Sequence, residues 1–402
     1  MFQSLTPRPS DPLLRLITLF AEDKRADKID LGIGVYRDEN GITPVFRAVK
    51  EAEARLQQTQ TTKSYIGPEG DRRFVALVRE LAFGQELSAR LGERLIGLQT
   101  PGGTGALRLA SDVAVKAHAR RVIVGVPTWP NHAPIFNAAG LSIHTYDYFD
   151  TASQTVQFDR LLDALNNAEH GDVVVLQGCC HNPTGADLSA KQWHEVTGIV
   201  LAKGLLPLID TAYHGLGHGL DADMAPVRHL AAHVPEALIT YSCSKNFGLY
   251  RERTGILFML ADSAKSATTA LSIAVDAARP NYSMPPDHGG SVVRLILDDE
   301  KMKADWRPEL EAMRNRIAGI RNHLAAEAHA RGLSLDAVKT QLGMFSTLAL
   351  PPEAVLKLRE QAAIYMPETG RINVAGLTEN SVSRFVAALA ALPRAEAPAL
   401  HR

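Results

Sequence analysis

The middle of the chain alternates short apolar segments with longer segments that have helical periodicity. The apolar segments, which are rich in β-branched residues, predict strands at residues 121–126, 141–146, 172–176, 205–209, 237–241 and 255–260. Several are continuously apolar, which is typical of strands covered on both faces. The intervening segments predict helices at residues 106–119, 159–168, 189–203 and 227–232. This alternation predicts an α/β fold with a mostly parallel central sheet and helices on both faces.

The last third of the chain has a different pattern. Residues 301–331 form a long, charged helical segment, and short apolar segments follow it. We therefore expect a second, smaller α+β domain. The predicted organisation is an N-terminal arm with the first part of the small domain at 1–42, a large domain at 43–312, and a small C-terminal domain at 313–402.

The charge balance excludes two classes of partner. The 402 residues include 43 Lys and Arg against 44 Asp and Glu, which gives a formal net charge of −1. A chain so close to neutral has no overall attraction for nucleic acid or for an anionic membrane. No signal peptide or membrane span is recognisable, because the start lacks a basic-then-apolar pattern and prolines interrupt the longest uncharged stretch.

The three cysteines indicate a reducing compartment. Cys179 and Cys180 are adjacent and Cys243 stands apart, so neither a disulfide framework nor a C-x-x-C spacing is present. We therefore expect a cytoplasmic protein. No metal site is predicted, because the glycines between His214 and His218 argue against a helix that would bring the two rings together.

Polar residues follow several predicted strands, at the positions where ligands bind in doubly wound sheets. Lys245 follows the strand at 237–241, and a desolvated lysine can act as a Schiff-base nucleophile. Asp210 and Tyr213 follow one strand, and Asn182 follows another. Taken singly, such a lysine is more often a surface residue, and the other three are more often parts of turns.

A glycine-rich turn precedes one of the predicted helices. Its sequence, Pro-Gly-Gly-Thr-Gly, places Gly103 and Thr104 where the backbone N–H groups of a helix start can bind an anion. The turn is not a Walker P-loop, and alone it is more often only a turn. Three further donors could complete a phosphate site around the lysine: Ser242, Ser244 and Arg253.

These motifs occur together and in order along the chain. They are Pro-Gly-Gly-Thr-Gly-Ala-Leu, Trp129-Pro-Asn-His132, Asn182-Pro-Thr-Gly, Asp210-x-Ala-Tyr213, Ser242-x-Ser-Lys245 and Arg253. The set resembles the pyridoxal-phosphate aminotransferases of fold type I, in the aspartate and aromatic-amino-acid branch, and some strings look closest to bacterial tyrosine or aromatic aminotransferases. The resemblance runs from about residue 30 to residue 377. It implies the fold of that family, with pyridoxal 5'-phosphate bound to the large domain.

The resemblance assigns roles in the chemistry. Lys245 would hold the cofactor as a Schiff base and then move the proton from the substrate Cα. Asp210, supported from behind by His132, would keep the pyridine nitrogen protonated. Tyr213 and Asn182 would bond the cofactor 3'-oxygen.

The resemblance also assigns binding roles. Trp129 would stack on the cofactor ring, although it could equally be a core tryptophan. The phosphate would be held by Gly103, Thr104, Ser242, Ser244 and Arg253. The substrate would lie against Gly34, Trp129 and Asn182, and Arg371 would clamp its α-carboxylate.

Two more residues resemble positions that act on the neighbouring subunit. Tyr65 resembles the tyrosine that reaches the partner's cofactor phosphate. Arg279 resembles the arginine that crosses to the partner's site and binds a dicarboxylate side chain. The resemblance therefore implies a homodimer with shared active sites.

The sequence identifies the side chain of the substrate less clearly than it identifies the reaction. Arg279 implies aspartate, glutamate and 2-oxoglutarate, whereas Met284 stands where aspartate-preferring relatives carry Asn and suits a pocket for aromatic rings. We predict transamination between an aromatic amino acid and 2-oxoglutarate, with retained activity on aspartate and glutamate. A dedicated aspartate aminotransferase is the alternative, favoured by Val35, Thr43 and Thr104. A non-catalytic binding protein on the same fold is a more distant one.

Three positions near the candidate site depart from the family pattern. Gln177 stands where relatives commonly have His, and His214 and Leu216 replace the usual Gln and Phe after Tyr213. We expect these changes to alter the surroundings of the cofactor without removing a group that contacts it.

Overall fold

A computed structural model of the chain describes residues 2–7, 12–393, 397 and 400. The chain divides into two compact units. The small unit comprises Met1–Ile42, Ile317–Thr340 and Met344–Arg402, and the large unit comprises Thr43–Arg316 and Gln341–Gly343.

The strands are β1 Ile29–Asp30, β2 Leu95–Pro101, β3 Arg121–Val126, β4 Ser142–Asp147, β5 Phe149–Asp150, β6 Thr155–Val156, β7 Val173–Gln177, β8 Leu206–Thr211, β9 Ala237–Ser242, β10 Thr254–Leu260, β11 Phe345–Thr347, β12 Ile364–Tyr365 and β13 Arg371–Asn373. The helices are α1 Pro12–Glu22, α2 Arg47–Thr59, α3 Arg72–Phe83, α4 Gln85–Leu91, α5 Gly102–Lys116, α6 His132–Ala139, α7 Phe158–Asn166, α8 Ala190–Lys203, α9 Leu220–His233, α10 Ala264–Asn281, α11 Asp287–Asp298, α12 Glu300–Ala330, α13 Pro352–Ala362 and α14 Glu379–Ala390. Short 3-10 helices lie at Phe2–Ser4, Gly92–Arg94, Asp336–Lys339 and Val374–Gly376.

A seven-stranded sheet forms the centre of the large unit. Its strand order is β2-β10-β9-β8-β7-β3-β4. The strands from β9 to β4 are mutually parallel, and β10 runs antiparallel to both of its neighbours. Every residue of β9 and β10 is buried, as expected for strands covered on both faces. The predicted α/β fold with a mostly parallel sheet is confirmed.

The hydrophobic pattern located the parallel strands but not the whole sheet. Each of the six predicted strands is present within two residues of its expected bounds. Strand β2 was not predicted, since its sequence, Leu-Ile-Gly-Leu-Gln-Thr-Pro, mixes apolar residues with glycine and polar residues. It pairs along its full length with β10. Its carboxyl end leads directly into α5.

Helix α5 begins earlier than the predicted residue 106. Its first residue is Gly102, so the glycine-rich segment forms the first turn of the helix. Gly102 has φ +70°, a left-handed conformation that side chains disfavour, and this lets the chain turn sharply from β2 into the helix. The correction places Gly103 and Thr104 inside the first helical turn, where their N–H groups have no intrahelical partners.

The small unit has short strands and a separate apolar core. Strand β1 pairs with β12 in parallel, and β11 pairs with β13 antiparallel. The long helix α12 agrees with the helical segment predicted at 301–331, and its later turns contribute Ile320 and Leu324 to this core. Val382 and Phe385 from α14 pack in the same cluster.

In the described part of the chain, no helix combines the length and the apolar character that a membrane crossing requires.

Candidate active site

A cavity of about 120 Å³ lies in the large unit, beside the carboxyl ends of the parallel strands β7, β8 and β9. The open ends of parallel strands are the usual ligand-binding edge of such sheets. The lining residues are Gly103, Thr104, Leu107, Trp129, Gln177, Asn182, Asp210, Ala212, Tyr213, Ser242, Ser244, Lys245 and Arg253. The structure therefore brings together most of the residues predicted for the cofactor site.

Lys245 is the candidate nucleophile, and it follows β9 in the chain. Its Nζ lies 4.8 Å from the centroid of the Tyr213 ring. Burial lowers the pKa of Lys245 from 10.5 to about 8, because an ammonium ion loses hydration in the protein interior. The Asp210 carboxylate opposes this decrease and the Arg253 guanidinium adds to it. A lysine with a lowered pKa supplies the neutral amine that nucleophilic attack requires.

Asp210 lies near the end of β8 and is 8% exposed. Thr240 Oγ1 donates to its Oδ1 atom at 3.0 Å, and His132 Nε2 lies 3.3 Å from its Oδ2 atom. Because a carboxylate only accepts hydrogen bonds, His132 donates through Nε2. The supporting position predicted for His132 is therefore present in the structure.

The support behind Asp210 continues to Gln177. His132 Nδ1 lies 2.8 Å from the Thr128 hydroxyl oxygen, which accepts a hydrogen bond from Gln177 Nε2 at 3.3 Å. Gln177 also bonds the backbone of Asn182 in both directions, at 2.8 and 2.9 Å. One amide side chain thus connects the Asp210 support to the Asn182 loop.

Asn182 and Tyr213 lie side by side in the lining of the cavity. The Asn182 Nδ2 group donates to the Tyr213 hydroxyl at 3.1 Å, and both residues are buried. The Asn182 Oδ1 atom is also buried and has no hydrogen-bond partner among the described residues. A buried acceptor without a partner is costly, so this atom is suited to a ligand donor.

A cradle for an anion lies at the start of α5. Gly102 makes room for Arg253, since a Cβ atom at position 102 would lie 2.5 Å from an Arg253 nitrogen. Arg253 Nη1 also donates to Ser244 Oγ at 3.5 Å, and a Cβ atom at Gly103 would lie 3.3 Å from the Ser242 Cβ. The hydroxyls, the guanidinium and the N–H groups of the helix start all favour a phosphate here.

Trp129 lines the same cavity and is partly buried. Its ring meets the His132 ring edge to face, with centroids 5.4 Å apart and an interplanar angle of 89°. This contact fixes the indole beside the cavity, where a flat face can pack on an aromatic ligand.

Two predicted residues lie on the surface of the large unit instead. The Tyr65 side chain is 92% exposed, and Arg279 is exposed with its Nη1 group donating to Ser283 at 3.0 Å. Neither lines the cavity. The roles predicted for both residues concern the partner subunit and stay predictions.

Two predicted substrate residues belong to the small unit. Arg371 is 5% exposed, donates to the Gly32 carbonyl at 2.6 Å, and lies over the Phe345 ring at 4.8 Å. Gly34 also packs against Phe345, since a Cβ atom there would lie 2.9 Å from the ring. These contacts hold one face of the Arg371 guanidinium. The substrate roles of Arg371 and Gly34 stay predictions.

Sequence reasoning missed several contributors to the site. Leu107 and Ala212 line the cavity, and Thr128 and Thr240 complete the support of Asp210. Leu107 is predictable once α5 starts at Gly102, because it then lies one turn after Gly103. The two threonines carry no sequence signal, since 111 residues lie between Thr128 and Thr240 in the chain.

The residues of the cavity fit pyridoxal phosphate. The α5 cradle matches a phosphate, the Asp210 carboxylate matches a protonated ring nitrogen, and the Asn182 amide and the Tyr213 hydroxyl provide hydrogen-bonding groups beside the ring. Lys245 supplies the amine for a covalent link. One cavity thus contains a complementary group for each part of the cofactor.

Fold and site together define an aminotransferase. The family model of aminotransferase class I and II matches residues 26–389. The chain therefore belongs to the class I and II aminotransferases, as its motifs predicted.

The relatives identify the branch of this class that contains aspartate, tyrosine and aromatic-amino-acid aminotransferases. The chain is 54% identical over 377 residues to the tyrosine aminotransferase of Rhizobium meliloti strain 1021, covering 94% of this chain and 96% of the relative. It is 43% identical over 395 residues to the aspartate aminotransferase of Escherichia coli K12, covering 98% and 100%. A solved aromatic-amino-acid aminotransferase from Burkholderia pseudomallei, covalently bound to pyridoxal phosphate, superposes with a TM-score of 0.94 at 39% identity and covers 97% and 99%.

Proposed function

We propose that this aminotransferase uses pyridoxal phosphate to transfer an amino group between an aromatic amino acid and 2-oxoglutarate, and that it also accepts aspartate and glutamate. The observation that carries the cofactor assignment is the cavity in which Lys245, Asp210 and the anion cradle of α5 come together. The aromatic preference is supported by the similarity to the tyrosine aminotransferase of Rhizobium meliloti.

The residues of the cavity have different roles in the proposed reaction. When bound, pyridoxal phosphate supplies an electron-accepting ring that stabilises negative charge at the substrate Cα. Lys245 Nζ would form the covalent attachment to the cofactor, and its free amine would take the proton from the substrate Cα and return it. Asp210 holds the proton on the ring nitrogen, helped by the hydrogen bonds from Thr240 and His132.

The other residues bind and orient. The start of α5 would hold the phosphate together with Ser242, Ser244 and Arg253. Asn182 and Tyr213 would together orient the ring at its 3'-oxygen, and Trp129 would pack against the ring. Arg371, with Gly34 beside it, binds the substrate α-carboxylate through a planar guanidinium.

The methionine at position 284 is a further argument for substrates with large side chains. Its sulfur accepts a hydrogen bond from the backbone N–H of Ile66 at 3.2 Å, which places the flexible thioether beside the exposed Tyr65 segment. A methionine repacks around apolar rings more readily than an asparagine does. The similarity to the aspartate aminotransferase of Escherichia coli favours a dedicated aspartate enzyme as the second candidate.

Two measurements test the proposal. Purified protein should bind pyridoxal phosphate with a visible absorbance that changes when glutamate is added, and a protein that binds no cofactor contradicts the proposed chemistry. The kcat/KM values for phenylalanine, tyrosine and aspartate, each with 2-oxoglutarate, then measure the specificity. We expect the aromatic values to equal or exceed the aspartate value, and an aspartate value higher by several orders of magnitude would select the second candidate.

The proposal includes a homodimer in which each active site uses Tyr65 and Arg279 of the other subunit. Its support is that both side chains are exposed and that neither lines the cavity of its own chain. An arginine that binds a dicarboxylate needs to be held beside the substrate, and a second copy of the chain can provide that position.

Subunit mixing tests the shared site. Lys245→Ala and Arg279→Ala homodimers should each have little aspartate activity. A hybrid of the two contains one site with both an intact Lys245 and an intact Arg279 from the partner, so random mixing should restore about a quarter of wild-type aspartate activity. Mixing that restores nothing, with hybrid formation verified by two affinity tags, would place Arg279 in its own subunit's site.

We also infer a cytoplasmic location, which rests on the cysteine pattern. All three cysteines are free and buried, as expected in a reducing compartment. Cell fractionation with an antibody to the chain tests this inference.

A further inference from the structure

A buried polar network lies next to the catalytic lysine without touching the cavity. It joins His214, Tyr241 and Asn246, each of which is 0% exposed. The Tyr241 hydroxyl lies 2.7 Å from His214 Nδ1, and Asn246 Nδ2 donates to the Tyr241 oxygen at 2.9 Å. None of the three lines the cavity.

The donor and acceptor in each hydrogen bond of the network can be assigned from the groups at the two ends of the network. His214 Nε2 lies 2.7 Å from the Leu220 carbonyl oxygen, which can only accept, so Nε2 carries the proton. Burial lowers the pKa of His214 to about 4, so the ring is neutral near pH 7 and its Nδ1 atom accepts. The Tyr241 hydroxyl therefore donates to Nδ1 and accepts from Asn246. The network has one proton arrangement.

The network is anchored beyond its three members. The indole Nε1 of Trp306 donates to the Asn246 carbonyl at 2.8 Å, and the Trp306 ring stacks on Phe247 with centroids 4.5 Å apart. All of these residues belong to the large unit. The segment that follows Lys245 is therefore fixed by both hydrogen bonds and ring packing.

The members of the network are chain neighbours of the residues that act in the cavity. His214 follows Tyr213, Asn246 follows Lys245, and Tyr241 precedes Ser242. A single set of hydrogen bonds thus connects the backbone at the phenol, at the amine and at the phosphate cradle. Movement of any one of these segments requires a bond to break in a region that water does not reach.

We propose that His214, Tyr241 and Asn246 are positioning residues that hold Lys245 and Tyr213 in fixed relation to the bound cofactor. The inference rests on the proposed function and deepens it. Without the network, the Lys245 segment loosens and water approaches its nitrogen, which stabilises the protonated form. The proton on the lysine nitrogen is then lost at a higher pH, and the proton transfer at Cα becomes slower.

Tyr241→Phe tests the proposal because it removes one hydroxyl and keeps the ring. In the cofactor-bound enzyme, we expect the pH midpoint of the absorbance change to rise by about 0.5 to 1 unit, since one net hydrogen bond corresponds to about a tenfold effect. We expect kcat for phenylalanine to fall about tenfold while KM changes less than about twofold. Tyr146→Phe is the matched control, because Tyr146 is a buried tyrosine on β4 outside the network.

Two substitutions of His214 give a second comparison if Tyr241→Phe does not fold. His214→Gln keeps one acceptor for Tyr241 and one donor for Leu220, so its absorbance midpoint should stay near the wild-type value. His214→Asn is too short to bridge both partners, and its midpoint should rise as in Tyr241→Phe. Recovery by glutamine would not be expected if the histidine only filled space.

The outcomes separate the two levels of inference. A wild-type protein without cofactor binding or transamination rejects the proposed function. A normal wild-type enzyme whose Tyr241→Phe variant has the absorbance midpoint and kcat of Tyr146→Phe, even with reduced thermal stability, rejects the positioning role alone. Equal midpoints in His214→Gln and His214→Asn reject it as well.

Discussion

The cofactor cavity and the surface around Tyr65 and Arg279 are organised in different ways. In the cavity, Asp210 accepts bonds from Thr240 and His132, and Asn182 is bonded to both Gln177 and Tyr213. At the surface, the Tyr65 side chain is 92% exposed. One chain therefore fixes the groups assigned to the reaction, whereas in the proposed homodimer a second chain would supply Arg279, the residue assigned to the substrate side chain.

Lys245→Ala gives the largest expected effect and tests the cavity side of this comparison. Loss of the amine removes both the covalent attachment and the proton transfer, so kcat should fall by at least about 10⁴-fold with every substrate. Steady-state kinetics with phenylalanine and aspartate measure this effect. Retained activity with either substrate would show that another group moves the proton, and circular dichroism serves as the folding control.

Asp210→Asn should have the next largest effect. The amide cannot hold a proton on the ring nitrogen through a charge-assisted hydrogen bond, which we expect to cost about 3 kcal/mol, or about 100-fold in kcat. The effect should be equal for aromatic and acidic substrates. A change in specificity instead of a uniform loss would place Asp210 outside the shared chemistry, and Asp172→Asn, at a buried aspartate just before β7, is the matched control.

The stability of the cofactor-free protein should report the burial of Lys245. Its pKa is about 8 in the folded protein and 10.5 ordinarily, so the unfolded chain binds more protons between these values. The penalty for burying the charge is complete below about pH 8 and disappears as the pH rises towards 10.5, a change of roughly 3 kcal/mol.

The free energy of unfolding of wild type and Lys245→Met, measured from pH 7 to 10.5, tests that sign. The methionine variant should be more stable at pH 7, and its advantage should shrink as the pH rises. A difference that is independent of pH would contradict a lowered lysine pKa.

Arg279→Leu should have the smallest effect on catalysis and the sharpest effect on specificity. Without the guanidinium, kcat/KM for aspartate should fall by about 30-fold, the value of one charge-assisted hydrogen bond, while phenylalanine changes little. If kcat/KM fell equally for aspartate and phenylalanine, Arg279 would not be a specificity residue, and the proposed difference between the cofactor cavity and the surface around Arg279 would be wrong. Arg251→Leu, an exposed arginine of the same unit, controls for the loss of charge.

The sequence predicted the residues that line the cavity better than the residues that hold them in place. Asp210, Asn182 and Lys245 follow predicted strands, so the parallel sheet brings them to one edge regardless of their separation in the chain. The partners Thr128 and Thr240 have no periodicity or motif that distinguishes them, because their role depends on contacts formed only after folding. His214 is a departure from the family pattern, but its hydrogen bond with Tyr241 is visible only in the structure.

The lowered pKa of Lys245 also makes this residue chemically distinguishable from the surface lysines. Near pH 8 about half of the Lys245 side chains are neutral amines, whereas an ordinary lysine is neutral in less than about 1% of molecules. A small aldehyde whose size and charge match the cavity should therefore label Lys245 of the cofactor-free protein in preference to its surface lysines. The cavity can in this way receive a spectroscopic reporter in the unmodified sequence, with no engineered cysteine.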